Sequence, residues 1–372
     1  MRIFHALRGL DAGGVENLAL QLISHAPSGI EHYLVNVDAR RQELRPRFDV
    51  LVGLGHIKII DLFFSDRFFL ACEIYLLCRR LRPDALLIYP CNRPMLWFAL
   101  GARLAGVRRL AVSVGNTAPL SESGRRVWER TLTWFAKLGV LPVPCSRAVK
   151  YSLRSLCLPK GFRFGPVIAN GCDTIGIAQR AAAARATRPL MDPFRIVMVA
   201  RLDCIKDQST LLRAFAVTQM YYPACQLQLV GDGPDRKQLE ALAFSLGLDP
   251  HLVFLGLRSD IPELLGHADI FAFSTTSSEG FGIALIEAMA ASLPIVASDV
   301  PACREVLLDG AAGDLLPPGD VPAWTKRLCE LLASHDQRQF LSSKSISHSS
   351  LYDIRESANC WFRLLGFIPS PS

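Results

Sequence analysis

Long hydrophobic runs are missing from this sequence. The longest uncharged stretch, residues 214–231, is interrupted by Gln219, Pro223, Gln226 and Gln228, which excludes a membrane-spanning helix there. Near the start, Arg2 and Arg8 break the apolar stretches, leaving too little for the core of a secretory signal, so a cytoplasmic chain is expected. The eleven cysteines form no CxxC pair and have no histidines at zinc-site spacing. Their odd number also argues against a disulfide framework and for free thiols in a reducing compartment. No DxD pair is present, so a metal-chelated diphosphate is not expected, and no cofactor is called for. Acidic residues are scarce in the first part: residues 1–170 carry 24 Lys and Arg against 12 Asp and Glu, while the remainder is mildly acidic.

What is present is enough for two cores. The chain has 372 residues, of which 50% are hydrophobic, as two ordinary α/β domains require. The basic first half implies an anionic partner, either a phospholipid surface or a lipid-pyrophosphate acceptor, and nucleic acid is not expected. A merely solubilising surface would account for the same charge.

Taken in order, Arg2–Leu7 reads as a strand that runs through a loop containing Gly13 and Gly14 into the helical pattern Leu18, Leu20, Leu22, Ile23. Glycine permits close approach of a ligand, and the following helix N-terminus offers donors to a phosphate. Strand and helix patterns then alternate through His32–Val37, Ala85–Tyr89, Met95–Leu104 and Arg109–Val114, which predicts a doubly wound α/β domain whose strand order the pattern does not reveal. Asn116, after the last of these strands, can hydrogen-bond a substrate but cannot act as a base near neutral pH, and a plain turn residue is the favoured reading of it. Residues 125–138 predict a basic amphipathic helix. Its apolar face is either Val127, Thr131, Trp134 and Leu138 or Trp128, Leu132 and Phe135, and it would either pack on the sheet or lie on an anionic membrane.

In the second half, Phe194–Val199 reads as a strand leading to Arg201 and Lys206, two cations five positions apart in a strand-to-helix loop and able to reach one diphosphate. Cys225–Val230 precedes the loop Gly231-Asp-Gly233-Pro. Ile270–Phe273 is a strand that leaves the sheet into Ser274–Ser278. Glu279, Gly280, Phe281 and Gly282 follow, then a helix with Ile283, Leu285, Ile286 and Met289 inward and Glu287 eight positions after Glu279. Loops at strand carboxyl ends bind ligands in open α/β sheets, so backbone N–H groups and two carboxylates here suit a ligand with both phosphates and sugar hydroxyls. Two solvated glutamates would satisfy the spacing alone.

The string SEGFGIALIEAMA resembles the E-x7-E motif of the large retaining glycosyltransferase family numbered four. Arg201 and Lys206 resemble its GR-x5-KD motif with Ala200 at the usual glycine, Gly231 to Pro234 its G-x-GP loop, and Gly13-Gly14 its GG-x-E loop. The resemblance implies the GT-B fold, α/β, with two Rossmann-like doubly wound domains facing a central cleft. These would be residues 1–167 on the acceptor side with a returning C-terminal helix within 351–372, a junction at 168–192 and a donor domain at 193–350. The Ser-rich segment 342–350 would cross between them. It also implies transfer from a UDP- or GDP-sugar to an acceptor hydroxyl, and the basic first half favours a lipid-linked or saccharide acceptor, in polysaccharide or glycolipid assembly at the inner face of a membrane. Arg201 and Lys206 would neutralise the departing diphosphate. Glu279, with the N–H groups of Phe281 and Gly282, would hold sugar and phosphate, Glu287 the ribose, and Gly13, Gly14, Gly231 and Gly233 would line the donor site. Many relatives carry a histidine near Asn116, and its absence here keeps a non-catalytic sugar-nucleotide binder open; a sugar-nucleotide epimerase of similar fold is the other alternative.

Overall fold

A computed structural model describes all residues except 12, 41, 63–66, 190–191 and 369–372, together with the side chains of 67 and 68. The last four residues of the expected C-terminal segment and the side chain of Phe68 therefore lie outside the described residues. The chain forms two compact units, residues 1–171 with 354–372 and residues 172–353.

The first unit alternates strand and helix: β1 (Arg2–Leu7), α1 (Gly14–Ser24), β2 (Glu31–Asn36), α2 (Arg45–Gly53), β3 (Ile57–Asp61), α3 (Arg67–Leu81), β4 (Ala85–Tyr89), α4 (Pro94–Leu104), β5 (Arg109–Val114), α5 (Glu122–Lys137), β6 (Val140–Pro144) and α6 (Arg147–Leu153). The strands are buried nearly end to end, as expected where helices cover both faces of a parallel sheet. All pairings are parallel in the order β3-β2-β1-β4-β5-β6, so the direction of winding reverses between β1 and β4. One face packs Phe4, Ala6, Leu86 and Ile88 against Ile74, Phe98 and Phe135 of α3, α4 and α5. The other packs Ile3, Leu7, Leu87 and Tyr89 against Leu18, Leu22 and Phe48. Of the two faces read for α5, the inward one holds Thr131, Leu132 and Phe135, and Trp134 is exposed.

The second unit contains α7 (Thr174–Ala186), β7 (Arg195–Val199), α8 (Gln208–Tyr221), β8 (Gln226–Val230), α9 (Arg236–Ser245), β9 (Leu252–Gly256), α10 (Ile261–Gly266), β10 (Ile270–Phe273), α11 (Ile283–Ala290), β11 (Ile295–Ser298), α12 (Pro301–Val306), β12 (Asp314–Leu316), α13 (Val321–Ala333) and α14 (His335–Ser349). Its sheet is again parallel, ordered β12-β11-β10-β7-β8-β9, with the reversal between β7 and β10. The Ser-rich segment expected to cross between units instead belongs to α14. Ser345 donates to the carbonyl of Leu293 at 2.8 Å and Ser342 to that of Ser292 at 2.6 Å, so these serines fasten a helix to its own unit.

The chain returns to the first unit as α15 (Ile354–Leu364), whose Ile354, Ala358, Trp361 and Phe362 join the same core as Ile3 and Leu7. Phe362 meets the edge of His32, and His32 Nδ1 lies 2.9 Å from His5 Nε2, with the Tyr89 hydroxyl 3.4 Å from His5 Nδ1. One of the two facing imidazole nitrogens must be bare to accept, so at least one of the rings is neutral. Burial depresses both, with each also repelled by a neighbouring histidine, and His32 falls from 6.5 to about 4. An unfolded chain then takes up protons that the folded one refuses. Stability is complete above about pH 6.5 and declines as pH falls toward 4. Denaturant titrations at neutral and acid pH are expected to show this decline, with a slope of up to about 1.4 kcal/mol per pH unit for each proton. The double variant His5→Phe/His32→Leu is expected to flatten it, and an unchanged slope would show that these rings do not titrate with unfolding.

Candidate active site

The sheet order determines which loops meet. In the second unit β7 and β10 are neighbours at the reversal point, so the loop after β7, carrying Arg201 and Lys206, lies beside the loop after β10, carrying Glu279. In such sheets the following helices depart to opposite faces, leaving a crevice at the strand ends. Two hydrogen bonds tie the loops together: the Thr276 N–H donates to the Ile205 carbonyl at 2.9 Å and the Thr275 hydroxyl to the same carbonyl at 3.0 Å. The Ser298 hydroxyl accepts from the Thr275 N–H at 2.8 Å, which fixes the start of the second loop from β11.

Lys206 Nζ donates to Glu279 Oε2, and the ammonium stands 4.6 Å from the centre of the Phe273 ring. Both side chains are almost enclosed, at 15% and 9% exposure. Such a pair persists only where its remaining polar atoms are satisfied. The N–H groups of Gly280 and Phe281 donate to Oε1 at 3.1 and 3.3 Å, and the Thr275 hydroxyl, whose one proton is shared with the Ile205 carbonyl, lies 3.3 Å from Oε2. Burial alone would raise the Glu279 carboxyl, but the Lys206 charge and these donors outweigh it and hold the group below its ordinary value.

Arg201 contrasts with this enclosed pair. Its side chain is 65% exposed and lies 3.5 Å from Asp203, while Asp203 also accepts from the Ile205 N–H. The site therefore offers one buried cation, anchored by a carboxylate, and one exposed cation close to it in sequence. Gly282 caps α11 at φ 87°, and with Phe281 it forms the turn at the start of that helix. Glu287, half-buried on α11, is near enough to Cys172 to reinforce the effect of burial in raising that thiol.

The remaining sequence-predicted residues occupy different places. Gly231 and Gly233 pack against backbone: an added Cβ would lie 2.0 Å from the Ala200 carbonyl oxygen in one case and 2.2 Å from that of Leu202 in the other. These contacts brace the Arg201 loop from behind, as do the bonds from Leu202 N–H to Asp232 and from Asp235 N–H to Leu202. Gly13 caps α1 and Gly14 begins it, and Asn116 is exposed in the loop after β5, all three in the first unit. Sequence reasoning missed Phe273, Thr275 and Ser298, which hold Lys206 and Glu279. The doubled threonine before the motif was the only local sign of them. Among the described residues no group of three or more His, Cys, Asp or Glu side chains is placed to hold a metal ion, and no helix is long and apolar enough to cross a membrane.

Two parallel doubly wound six-stranded sheets, one in each unit, are the layers of the GT-B fold, and solved GT-B structures share that fold. HepE of Anabaena, solved with UDP and glucose, superposes with a TM-score of 0.81 at 20% identity, over 99% of this chain and 100% of that one. WaaG, a glycosyltransferase involved in lipopolysaccharide biosynthesis, gives 0.71 at 13% identity, over 98% and 100%. Residues 180–348, all within the second unit, match the family described as Glycosyl transferases group 1. The putative glycosyltransferase EpsD of Bacillus subtilis is 35% identical over 140 residues, which are 38% of this chain. The phosphatidyl-myo-inositol mannosyltransferase of Mycobacterium leprae is 40% identical over 136 residues, 36% of this chain. Each match spans 36% of the relative's own length.

Proposed function

We propose that the chain is a retaining glycosyltransferase that moves a sugar from a nucleotide-diphosphate sugar to an acceptor hydroxyl. The observation that carries this reading is the enclosed Lys206–Glu279 pair at the reversal point of the family-matched unit, with Arg201 exposed in the same loop. Breaking the bond from sugar to phosphate builds negative charge on the departing diphosphate, and fixed cations stabilise that charge most where water is excluded. Lys206 is held in place before substrate arrives, so no reorganisation is needed when the charge develops. Arg201 is free to fold over a bound diphosphate with its planar fork.

In this reading Glu279 has two duties. It anchors Lys206 and, with its second oxygen, orders the Gly280–Phe281 turn at the start of α11, where the sugar would rest. Glu287 would accept from ribose hydroxyls. Retention would follow from attack on the same face as departure, with the leaving phosphate taking the acceptor proton. Positive charge would come from Arg201 and Lys206, so turnover is expected to persist in chelator. The mannosyltransferase and polysaccharide-related relatives favour a glycolipid or polysaccharide acceptor.

The test is a panel of UDP- and GDP-sugars, each scored for thermal shift, for slow hydrolysis without acceptor, and by NMR for the configuration of the sugar released. One donor class is expected to stabilise the chain and to release sugar with its anomeric configuration retained. Binding with neither hydrolysis nor transfer would mark a binder, and a change of sugar stereochemistry on intact donor would mark an epimerase. Loss of turnover in chelator would overturn the metal-free reading.

A further inference from the structure

Thr275 belongs to one loop of the site and touches the other, and its side chain is wholly buried. It lies just past the end of β10, and its N–H donates to the Ser298 hydroxyl at 2.8 Å, so β11 fixes its backbone. Two substituents on its Cβ restrict the side chain to few rotamers. The hydroxyl oxygen therefore keeps its place, while the O–H bond remains free to rotate.

That bond faces two acceptors. Thr275 Oγ1 lies 3.0 Å from the Ile205 carbonyl oxygen and 3.3 Å from Glu279 Oε2, and it has one proton to give. The two acceptors differ in what else they hold. The Ile205 carbonyl also receives the Thr276 N–H at 2.9 Å, so it stays bonded when the hydroxyl turns away. Glu279 Oε1 receives two backbone N–H groups, whereas Oε2 depends on the Lys206 ammonium, with the Thr275 hydroxyl within reach. Burial makes this dependence costly, because the Glu279 side chain is 9% exposed and a buried carboxylate needs its donors.

In the reading proposed above, Lys206 stays beside Glu279 but shares its charge with the diphosphate as the glycosidic bond breaks. Oε2 is then less well compensated just when the transition state forms. We infer that Thr275 is a positioning residue whose hydroxyl proton turns from the Ile205 carbonyl to Glu279 Oε2 as the diphosphate draws on the Lys206 ammonium. Only the proton moves, by rotation about the Cβ–Oγ1 bond, and no covalent bond forms or breaks. Each acceptor keeps a donor in both settings. The carboxylate keeps its orientation, and with it the ammonium and the Gly280–Phe281 turn that it anchors. A threonine that merely ties the two loops together would be redundant, since the Thr276 N–H already makes that tie to the same carbonyl. The inference rests on the reading of Lys206 as the cation that meets the diphosphate.

The experiment compares the parent chain with Thr275→Val and Thr275→Ser, each alone and combined with Glu279→Gln. Binding of UDP and GDP is measured by calorimetry, turnover as hydrolysis of the corresponding diphosphate sugars, and folding by thermal unfolding. Thr275→Val keeps the branched shape and removes the proton. It is expected to lower turnover by roughly tenfold, with nucleotide binding changed much less, because the hydroxyl is called on only as charge builds. Thr275→Ser is expected to restore most of the turnover. In the Glu279→Gln background the valine substitution is expected to cost much less, since an uncharged amide has no charge to strand, and the two positions therefore couple. Thr275→Ala against Thr275→Ser makes the same comparison if the valine variant does not fold. Equal losses of turnover and nucleotide binding, a serine variant no better than the valine one, or the same loss with Glu279→Gln would overturn the inference. Lys206→Ala turning over as the parent does would overturn the reading beneath it, a result distinct from each of these.

Discussion

Lys206→Ala is expected to lower turnover by roughly 10²–10³-fold, while donor affinity falls by roughly a factor of ten less. The asymmetry follows from when the charge is needed. In the ground state the diphosphate already shares its charge with solvent and with Arg201, whose exposed guanidinium can reach it. As the glycosidic bond breaks, an additional charge develops beside the enclosed ammonium, and no other cation is held in that place. The same substitution strands the Glu279 carboxylate, whose side chain is 9% exposed, with only the Thr275 hydroxyl and two backbone N–H groups beside it. Removing one partner of a buried pair costs about 3–5 kcal/mol, so the variant should also unfold at lower denaturant. Lys206→Met/Glu279→Gln separates the two effects, because it removes both charges and keeps the volume. Its stability is expected to recover much of the loss while its turnover does not. Equal losses of turnover and donor affinity in Lys206→Ala, or recovered turnover in the double variant, would remove Lys206 from the chemical step.

Where the sequence was legible, it was because the pattern was local. Strands such as Ile270–Phe273 announce themselves by a short apolar run ending in polar loop residues, and α11 by inward residues at helical spacing. The alternation alone predicts two doubly wound layers. Strand order was not legible, because each crossover can run to either side of the sheet and nothing in one strand's composition records its neighbour. The meeting of Lys206 with Glu279, 73 positions apart, is a consequence of that order. The motifs could identify both residues as important without showing that they hold each other.

The misread segments share a physical cause. Residues 342–350 lack an apolar stripe, so their serines suggested a solvent-exposed crossing. In the structure the buried Ser345 and its neighbour Ser342 satisfy themselves on backbone carbonyls at the end of α11 and the start of β11. Hydrogen-bonded serines can pack a helix without the periodicity by which helices are recognised. On α5 the ambiguity was of another kind. Trp134 and Phe135 are adjacent and equally apolar, and the sheet accepts only Phe135, leaving the tryptophan outside.

Gly231→Ala is the second large effect, and it tests whether the Gly231-Asp-Gly233 loop touches donor or supports the loop that does. Gly231 has φ 133°, where a side chain is strained by about 1–3 kcal/mol on backbone grounds alone. Its added Cβ would also lie 2.0 Å from the Ala200 oxygen and 2.9 Å from the Ala200 carbon, backbone atoms that cannot swing aside as a flexible side chain would. Relief requires the ends of β7 and β8 to separate, although the Ala200 N–H is bonded to the Val230 carbonyl at 2.9 Å. Arg201 is the next residue, so its loop must move. Turnover is therefore expected to collapse together with stability. Gly247→Ala supplies the comparison: it too has a positive φ, 67°, but nothing lies within 4 Å of its added Cβ. That variant should cost only about 1–2 kcal/mol and keep its turnover. A Gly231→Ala chain that folds as the parent does and loses donor affinity alone would assign the loop to direct contact with the nucleotide. Loss of stability and turnover together would make it the brace that holds Arg201 in place.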